Sequence, residues 1–367
     1  MRETLQNLAL VLFGILLVCL VFEAFPRIAP KRFVPPGVRD LGDAMERNRQ
    51  AEDFFTADSE LGFKVPPNTD FVVKHPDYTI RIKTHLNLKD AGFRGGILGG
   101  PAWGVAVGDS FTFGMGVEHE ETWSGLLAKY FQRDILNLGI PAQAPPQYTR
   151  VLKRYGLPMK PRIVFYGVYF NDLEPASNVS LESGEAVPFV RYLRDYSYAF
   201  NLIRQSRLMS AAPLALAHTD NAEMSVDAAG LRRMLEDQNT HFDERWTGVA
   251  RQIDDAVTAS QNAGAQIVVL YLPSRWEVYW DSLKASNQFS DSMDVSQLRK
   301  ALAQHCETHQ LACLDLVSPL KTAANKGRHV YLPIDGHWTR EGNQIVAEAI
   351  QSYLVRNGFA GRPDQTN

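Results

Sequence analysis

The chain has 367 residues and a formal net charge of −3 at pH 7, with 45% hydrophobic and 22% charged residues. This composition is typical of a globular protein with room for one large or two modest domains. The charge balance gives no basic footprint, so no nucleic-acid partner is expected. The sequence also lacks a phosphate-binding glycine loop, a GxGxxG fingerprint and a set of four cysteines with zinc-site spacing. Nucleotide-binding and structural-zinc functions are therefore unsupported.

The N-terminus is strongly apolar. No charged residue occurs between Thr4 and Phe22, and such a stretch is long enough to cross a hydrocarbon core of about 30 Å as a helix. We therefore predict a transmembrane signal anchor over residues 4–25, which would make the lipid bilayer a partner of the chain. A cleaved signal peptide is the alternative, although no clear small-residue cleavage site follows. The nearby basic residues lie mostly after the span, which by itself favours a cytoplasmic domain.

Two further segments precede the main domain. Residues 26–50 contain four prolines and are predicted to form a stalk. Residues 51–100 show apolar and polar side chains in alternation, for example over 78–83, and this pattern predicts a small β-rich unit. The tetrapeptide 92–95, Gly-Phe-Arg-Gly, is predicted either to face the substrate or to pack a β-ribbon against the main domain.

From residue 101 onward, short apolar runs alternate with longer amphipathic ones. This rhythm predicts a mainly parallel sheet covered by helices on both faces, a three-layer α/β/α sandwich over 101–358. Residues 174–241 do not fit the alternation, and we predict either an inserted helical cap over the site or helices that pack on the core. The predicted strands are 103–107, 134–138, 162–167, 266–271 and 311–316. The predicted helices are 122–131, 147–155, 242–262, 295–309 and 340–357.

Several residues with useful chemistry follow the ends of predicted strands. Ser110 follows the first strand, Gly139 the second and Asn171 the third, while Asp335 and His337 come just before the last helix. The carboxyl ends of parallel strands meet at one edge of a sheet, where ligands bind. A serine hydroxyl is a weak nucleophile that needs a base within hydrogen-bond reach, and the base needs an orienting group. The pattern therefore predicts a serine nucleophile with an imidazole base and a carboxylate.

The same residues stand in a recognisable order. The chain presents GDSFTFG at 108–114, NLG at 137–139, the asparagine of YFNDL at 171 and DGHW at 335–338. This series resembles the four sequence blocks of the SGNH (GDSL-type) hydrolase family. The short Asp-x-His-Trp spacing is similar to that of membrane-anchored members and of bacterial polysaccharide O-acetyltransferases. The resemblance implies a flavodoxin-like fold with a five-stranded central sheet.

The resemblance also implies a role for each matching residue. Ser110 would be the nucleophile, His337 the general base and Asp335 its partner. The backbone N–H groups of Ser110 and Gly139 and the side-chain amide of Asn171 would form the oxyanion hole. One such donor is typically worth ~100- to 1,000-fold in rate. No metal and no organic cofactor are implied.

Three residues beside these motifs are predicted to bind substrate, namely Asp109, Trp276 and Trp338. Trp276 follows a strand end, where an aromatic ring could stack on a sugar. Aromatic residues are also ordinary packing material, so packing is the alternative for these tryptophans.

The predicted function is a serine esterase or O-acyltransferase that works through an acyl-serine intermediate. The resemblance favours acetyl esters of an extracytoplasmic polysaccharide as substrate, and an inner-membrane protein whose catalytic domain lies on the periplasmic side. Two alternatives stay open. The same triad would serve a lipid or thioester hydrolase, and the domain could instead be a non-catalytic glycan-binding module of an export system.

The cysteines bear on the compartment. Cys306 and Cys313 flank a predicted helix end and the following strand, so they could lie close together. A disulfide between them would fit an oxidising compartment. The alternative is that both are small buried apolar residues.

Overall fold

The computed structural model describes residues 2–30, 55–95, 102–173, 196–201, 215–219, 222–226, 228–285 and 293–360, with isolated positions between 33 and 54. The chain divides into two compact units. The first comprises residues 1–55 and 180–212, and the second comprises residues 56–179 and 213–367. Much of the predicted stalk and of the predicted cap over 174–241 lies outside the described residues.

The N-terminal segment of the first unit is one helix, α1, over Arg2–Ile28. Near its end, the Glu23 carboxylate accepts hydrogen bonds from the Ser197 hydroxyl and from the Ala199 N–H at 2.9 Å. Among the residues that the structure describes, no helix combines the length and the hydropathy that a membrane span needs. The transmembrane anchor predicted over residues 4–25 is therefore not confirmed.

Three antiparallel hairpins occupy the start of the second unit. In the second hairpin, Ile80 and Ile82 are buried while Thr79 and Arg81 are exposed, which is the period-two pattern of a strand with one face on a core. The first strand pairs with the second, the third with the fourth and the fifth with the sixth. The strands are β1 Thr56–Asp58, β2 Gly62–Lys64, β3 Asp70–His75, β4 Tyr78–Lys83, β5 Leu86–Leu88 and β6 Ala91–Phe93.

The centre of the second unit is a five-stranded sheet in which every pairing is parallel. Its strands are almost continuously buried, as expected for a sheet covered on both faces. The sheet strands are β7 Gly104–Val107, β8 Ile135–Asn137, β9 Ile163–Tyr169, β12 Gln266–Leu272 and β13 Cys313–Asp315. A separate hairpin consists of β10 Ala215–Thr219 and β11 Ala222–Val226. All five predicted sheet strands are found.

The strand order in the sheet is β13-β12-β9-β7-β8. Numbered along the chain, this is the doubly wound order 2-1-3-4-5, and its order reverses between the first and third strands, here β7 and β9. Proteins with such sheets bind their ligands in the crevice at that switch point. The α/β fold predicted from the sequence is therefore confirmed, and its topology directs attention to the carboxyl ends of β7 and β9.

The helices pack in two groups. The helix Trp123–Phe131 packs against Arg340–Arg356, and the helix Pro145–Val151 packs against Phe242–Asn262. The helix predicted over 147–155 begins at Pro145, because proline suits the first turn of a helix. It continues over Leu152–Gly156 as a π-helical turn. The helices of the second unit are α2 Ser110–Phe113, α3 Trp123–Phe131, α4 Pro145–Val151, α5 Ala228–Thr240, α6 Phe242–Asn262, α7 Arg275–Val278, α8 Trp280–Ala285, α9 Gln297–His309, α10 Val317–Ala324 and α11 Arg340–Arg356.

A disulfide joins α9 to the edge strand β13. The bond links Cys306 to Cys313, with 6.2 Å between the two Cα atoms. Gln310 lies between them in the left-handed conformation (φ 53°) and turns the chain back towards the sheet. Of the two alternatives for this cysteine pair, the structure has the disulfide.

Candidate active site

Ser110 is the first residue of the one-turn helix α2, directly after strand β7. The Asp109 carboxylate caps this helix by accepting the Phe111 N–H at 2.9 Å. Gly114, in the left-handed conformation (φ 83°), ends it and donates its N–H to the Ser110 carbonyl. A short helix with a capping residue at one end and glycine at the other leaves the serine half-buried at the carboxyl end of the strand.

His337 and Asp335 complete a chain of hydrogen bonds to this serine. His337 Nε2 lies 2.7 Å from Ser110 Oγ, and His337 Nδ1 is hydrogen-bonded to Asp335 Oδ1. With the Nδ1 proton directed at the carboxylate, Nε2 presents a lone pair to the serine hydroxyl. This is the arrangement in which an imidazole can take the serine proton and a carboxylate holds the imidazole in place.

The local backbone explains how an aspartate only two residues away reaches the histidine ring. Asp335 Oδ1 accepts the His337 backbone N–H at 3.1 Å as well as the ring Nδ1. Gly336 lies between them with φ 84°, in the left-handed region that favours glycine. The Leu332 N–H donates to the His337 carbonyl at 2.8 Å and closes the turn.

The Asp335 carboxylate is stabilised in its charged form. Burial by itself would raise its pKa, but hydrogen bonds from His337 and from the Tyr78 hydroxyl bring the pKa well below the usual range. A permanently ionised carboxylate is what an imidazole needs when it becomes positively charged during acyl transfer.

The implied oxyanion donors differ in their surroundings. The Ser110 N–H has no acceptor among the residues that the structure describes. Asn171 is exposed, in the 3-10 turn Phe170–Leu173 that follows β9. The Gly139 N–H, by contrast, already donates to Asn137 Oδ1 at 3.1 Å. Its oxyanion role stays a prediction that requires this bond to open.

Gly139 has a clear packing role. A Cβ atom at this position would lie 2.4 Å from the Phe113 backbone nitrogen and 3.0 Å from the Asp109 carbonyl oxygen. Both are backbone atoms of the turn that carries Ser110, so neither can rotate away. The second residue after β8 must therefore be glycine for the two segments to approach each other.

Asn137, which the sequence analysis passed over, links the same segments. Its side chain is fully buried, and its Nδ2 donates to the Thr112 carbonyl at 2.7 Å and lies 3.0 Å from the Ser124 hydroxyl. With Oδ1 holding the Gly139 N–H, one amide joins β8, α2 and α3. Asn137 is the first residue of the NLG motif, and the sequence could have indicated its structural role in the same way as it indicated Gly139 as an oxyanion donor.

Arg94 is the second residue whose role the sequence left open. It is 1% exposed, and its guanidinium donates to the carbonyls of Phe113 (3.2 Å), Gly114 and Val117. Burial lowers its pKa to about 10, so it remains a cation at neutral pH. Of the two alternatives for the Gly-Phe-Arg-Gly segment, the structure has packing beneath the Ser110 turn.

Two of the three predicted substrate-binding residues are wrong. Trp338 is 1% exposed and packs edge-on against Phe111 in the hydrophobic core, with 4.9 Å between ring centroids. Asp109 is 3% exposed, and its carboxylate is used as the cap of α2. Neither side chain is accessible to a ligand. Trp276 is half-buried, and the Arg275 guanidinium lies 4.2 Å above its ring, so its substrate role stays a prediction.

The floor of the site contains two buried acids. Burial raises the pKa of Asp109 to about 6, and it raises that of Asp172 well above the usual range, with the neighbouring Asp109 adding to the shift. Asp172 accepts hydrogen bonds from the Tyr148 hydroxyl at 2.8 Å and the Tyr169 N–H at 2.9 Å. Two interacting buried carboxyls favour keeping a proton between them.

Within the described ranges, no group of three or more His, Cys, Asp or Glu side chains is arranged to hold a metal ion. A hydroxyl, an imidazole and a carboxylate in series can transfer a proton away from the hydroxyl as it attacks an electrophile.

A serine–histidine–aspartate series at the switch point of a doubly wound sheet defines a class of proteins, the serine-dependent acyl-transfer enzymes. Residues 233–367, which include Asp335 and His337, match a family model described as SGNH hydrolase-like domain, acetyltransferase AlgX. The match identifies residues 233–367 as an SGNH hydrolase-like domain, and it supports the activity of an ester hydrolase or acetyltransferase. No curated protein sequence matches it.

Several solved structures are similar in fold. A lipolytic protein of the G-D-S-L family from Desulfitobacterium hafniense is 15% identical, with 68% of this chain and 98% of that chain covered and a TM-score of 0.40. An acetylxylan esterase from Geobacillus stearothermophilus is 11% identical over 70% and 95% of the two chains, with a TM-score of 0.40. An acylhydrolase from Bacteroides fragilis is 13% identical over 69% and 86%, with a TM-score of 0.37. At this level of similarity they carry no conclusion about substrate.

The contact at Gly139 predicts the effect of adding one methyl group. Gly139→Ala would push against backbone atoms of α2, and we expect about a 100-fold loss of ester-hydrolysis rate, because small misplacements of a nucleophile cost about that much. The thermal unfolding midpoint should fall as well, since overpacking costs roughly 1–3 kcal/mol. Gly248→Ala is the control, because a Cβ there meets nothing within 4 Å. Wild-type activity in Gly139→Ala would contradict the close approach.

The raised pKa of Asp109 predicts a pH-dependent stability. Between the ordinary aspartate pKa of about 4 and the folded value of about 6, the native state binds the proton more tightly, so stability falls as pH rises through this window. Asp109→Asn keeps a cap oxygen and carries no charge. From pH 4 to 8 we expect it to lose about 3 kcal/mol less stability than the wild type in urea unfolding.

The exposed substitution Asp243→Asn is the matched control for this titration. It should follow the wild-type pH profile. An Asp109→Asn profile that also coincides with the wild type would mean that burial does not penalise the charged Asp109 carboxylate.

Proposed function

We propose that the protein is a serine esterase or O-acetyltransferase that acts on acetyl esters of an extracytoplasmic polysaccharide. The observation that carries the proposal is the hydrogen-bonded series Ser110–His337–Asp335, with Nε2 at 2.7 Å from Oγ. A serine with this partner has a base in place for its proton, which an unpaired surface serine lacks.

The first half of the reaction forms an acyl-serine. His337 Nε2 takes the hydroxyl proton as Ser110 Oγ attacks the ester carbonyl, and Asp335 stabilises the positive imidazolium. The tetrahedral oxyanion accepts hydrogen bonds from the Ser110 N–H and the Asn171 amide, with the Gly139 N–H as the third donor once it leaves Asn137. The imidazolium then protonates the departing alkoxide, so the alcohol leaves and the acyl-serine remains.

The second half decides between the two activities. In hydrolysis, His337 takes a proton from water as the water oxygen attacks the acyl carbon, and the imidazolium then returns the proton to Ser110 Oγ as the bond to the acyl group breaks and acetate leaves. In transfer, a sugar hydroxyl takes the place of water and receives the acetyl group. The family match to an acetyltransferase domain supports the acetyl group, and the exposed Asn171 allows a bulky acceptor such as a glycan to approach the oxyanion position.

We place the catalytic domain on the periplasmic side of the inner membrane. The support is the Cys306–Cys313 disulfide, since such bonds persist in oxidising compartments and are rare in the cytosol. A polysaccharide substrate outside the cytoplasm requires an enzyme in the same compartment.

The location can be tested through the redox state of the cysteines in growing cells. After denaturation with an alkylating reagent, Cys19, which is free, should be modified without reductant. Cys306 and Cys313 should be modified only after reduction, and mass spectrometry of the peptides distinguishes the two cases. Full modification of all three cysteines without reductant would argue for a reducing compartment.

The activity can be tested with p-nitrophenyl acetate, butyrate and octanoate as substrates for the purified full-length chain. We expect turnover that favours acetate, and a loss of at least about 1,000-fold in kcat for Ser110→Ala. Asp335→Asn should lower kcat by about 1,000- to 10,000-fold, because the imidazole loses its charged partner. Ser282→Ala, an exposed serine, is the matched control.

The outcomes separate the candidate functions. Preference for octanoate would indicate a lipid or thioester hydrolase. Acetyl transfer to oligosaccharides from a neutral and acidic panel, read by mass spectrometry, would identify a transferase. Equal rates for the wild type and Ser110→Ala, with glycan binding unchanged in both, would show a non-catalytic binding module and contradict the proposal.

A further inference from the structure

The tip of the β3–β4 hairpin reaches the loop that carries Asp335. Asp77 Oδ2 accepts the backbone N–H groups of both Ile334 and Asp335, each at 2.8 Å. The Asp77 side chain is 7% exposed, so the accepting carboxylate is largely buried. One carboxylate from a hairpin 257 residues earlier in the chain thus fixes two successive peptide groups beside the site.

Tyr78 binds the Asp335 carboxylate directly. Its hydroxyl donates to Asp335 Oδ2 at 3.0 Å, while Oδ1 is used by His337. Because the two carboxylate oxygens have different partners, the plane of the carboxylate cannot rotate without breaking one hydrogen bond. The direction of the bond to the imidazole is therefore set partly by the tyrosine.

The Tyr78 ring is itself held in place. It stacks on His75, with ring centroids 4.9 Å apart and 21° between planes. On another side it faces Gly116, where an added Cβ would lie 3.5 Å from the ring. Gly116 belongs to the loop that follows the Ser110 helix. The hairpin thus packs between the loop after the serine and the loop of the aspartate.

Several titratable and charged groups surround the contact between Tyr78 and the Asp335 carboxylate, and they come from different elements. His75 Nε2 lies 4.0 Å from Asp335 Oδ2 and its Nδ1 lies 3.9 Å from Asp77 Oδ2. His337 approaches from the same loop, and Arg275 from α7 acts on Asp335 electrostatically. Within this set, the Tyr78 hydroxyl donates to Asp335 without carrying a charge of its own.

The middle of the aspartate loop, between the buried residues Leu332 and Trp338, has no buried apolar side chain. Ile334, directly before Asp335, is 52% exposed, and Gly336, directly after it, has no side chain. This part of the loop depends on hydrogen bonds for its position, and three of those involve Asp77 and Tyr78.

We propose that the tip of the β3–β4 hairpin belongs to the catalytic apparatus, with Tyr78 and Asp77 as positioning residues that hold Asp335 in line with His337. The inference rests on the proposed function, in which Ser110 is the nucleophile. It assigns the hairpin a part in catalysis in addition to packing.

The test measures how fast a fluorophosphonate probe modifies Ser110, because this reaction needs an activated serine but no natural substrate. Tyr78→Phe should lower the labelling rate constant by about 10-fold, as expected for losing a hydrogen bond to a charged group. With p-nitrophenyl acetate it should lower kcat by a similar factor and leave KM unchanged. Tyr130→Phe, an exposed tyrosine, is the matched control.

Asp77 provides a second, independent variant. Asp77→Ala removes the acceptor for two N–H groups and should lower the labelling rate, whereas Asp77→Asn keeps an acceptor oxygen and should restore most of it. Asp70→Asn breaks an exposed ion pair with Arg81 in the same hairpin and should have no effect. The downfield proton resonance of His337 Nδ1–H reports the Asp335 contact and should move in Tyr78→Phe at unchanged thermal stability.

The outcomes are distinguishable. No labelling of Ser110 in the wild type would overturn the proposed function and this inference with it. Normal labelling of the wild type together with wild-type rates and an unmoved His337 resonance in Tyr78→Phe would overturn the inference alone. Slower labelling in Tyr78→Phe and Asp77→Ala, with rescue in Asp77→Asn, would support it.

Discussion

The backbone carbonyls at the end of helix α2 need hydrogen-bond donors from outside the helix. This requirement determines which residues pack against the turn that carries Ser110. A helix of four residues cannot satisfy its own last carbonyls, and water is excluded because the turn is buried. Asn137 donates to the Thr112 carbonyl and Arg94 to the Phe113 carbonyl. The end of β8 and the residue after the β5–β6 hairpin therefore both hydrogen-bond to helix α2. These bonds hold the turn of Ser110 in position.

The same burial sets the charge around the reaction. An oxyanion that develops beside two ionised carboxylates would be repelled by them. Desolvation raises the pKa of both Asp109 and Asp172, and Asp109 raises that of Asp172 further, so the neutral form of at least one is favoured. Asp335 is different, because hydrogen bonds from His337 and Tyr78 keep it ionised. The surroundings thus favour the ionised form of Asp335, which faces the imidazole. They disfavour negative charge on the buried carboxyls of Asp109 and Asp172.

The sequence predicted the parts of the molecule that depend on local pattern. Each sheet strand lies in a mainly apolar run, and motif order located Ser110, Asp335 and His337, which the fold brings together. It failed for Trp338, because neighbours along an extended segment point to opposite sides, and the residue beside the histidine faces the core. It also missed Tyr78, whose contact with Asp335 spans 257 positions and leaves no local signal.

The state of Gly139 shows how far the site is organised before substrate binds. Its N–H is taken by Asn137 Oδ1, and the Asn137 amide is anchored at its other end by Thr112 and Ser124. Releasing the N–H leaves a buried acceptor unsatisfied, which costs roughly 1–3 kcal/mol. That cost is of the same order as the gain from one oxyanion donor. In the proposed mechanism, the Ser110 N–H and the exposed Asn171 amide would therefore supply most of the net stabilisation of the oxyanion, and the Gly139 N–H would contribute only the difference.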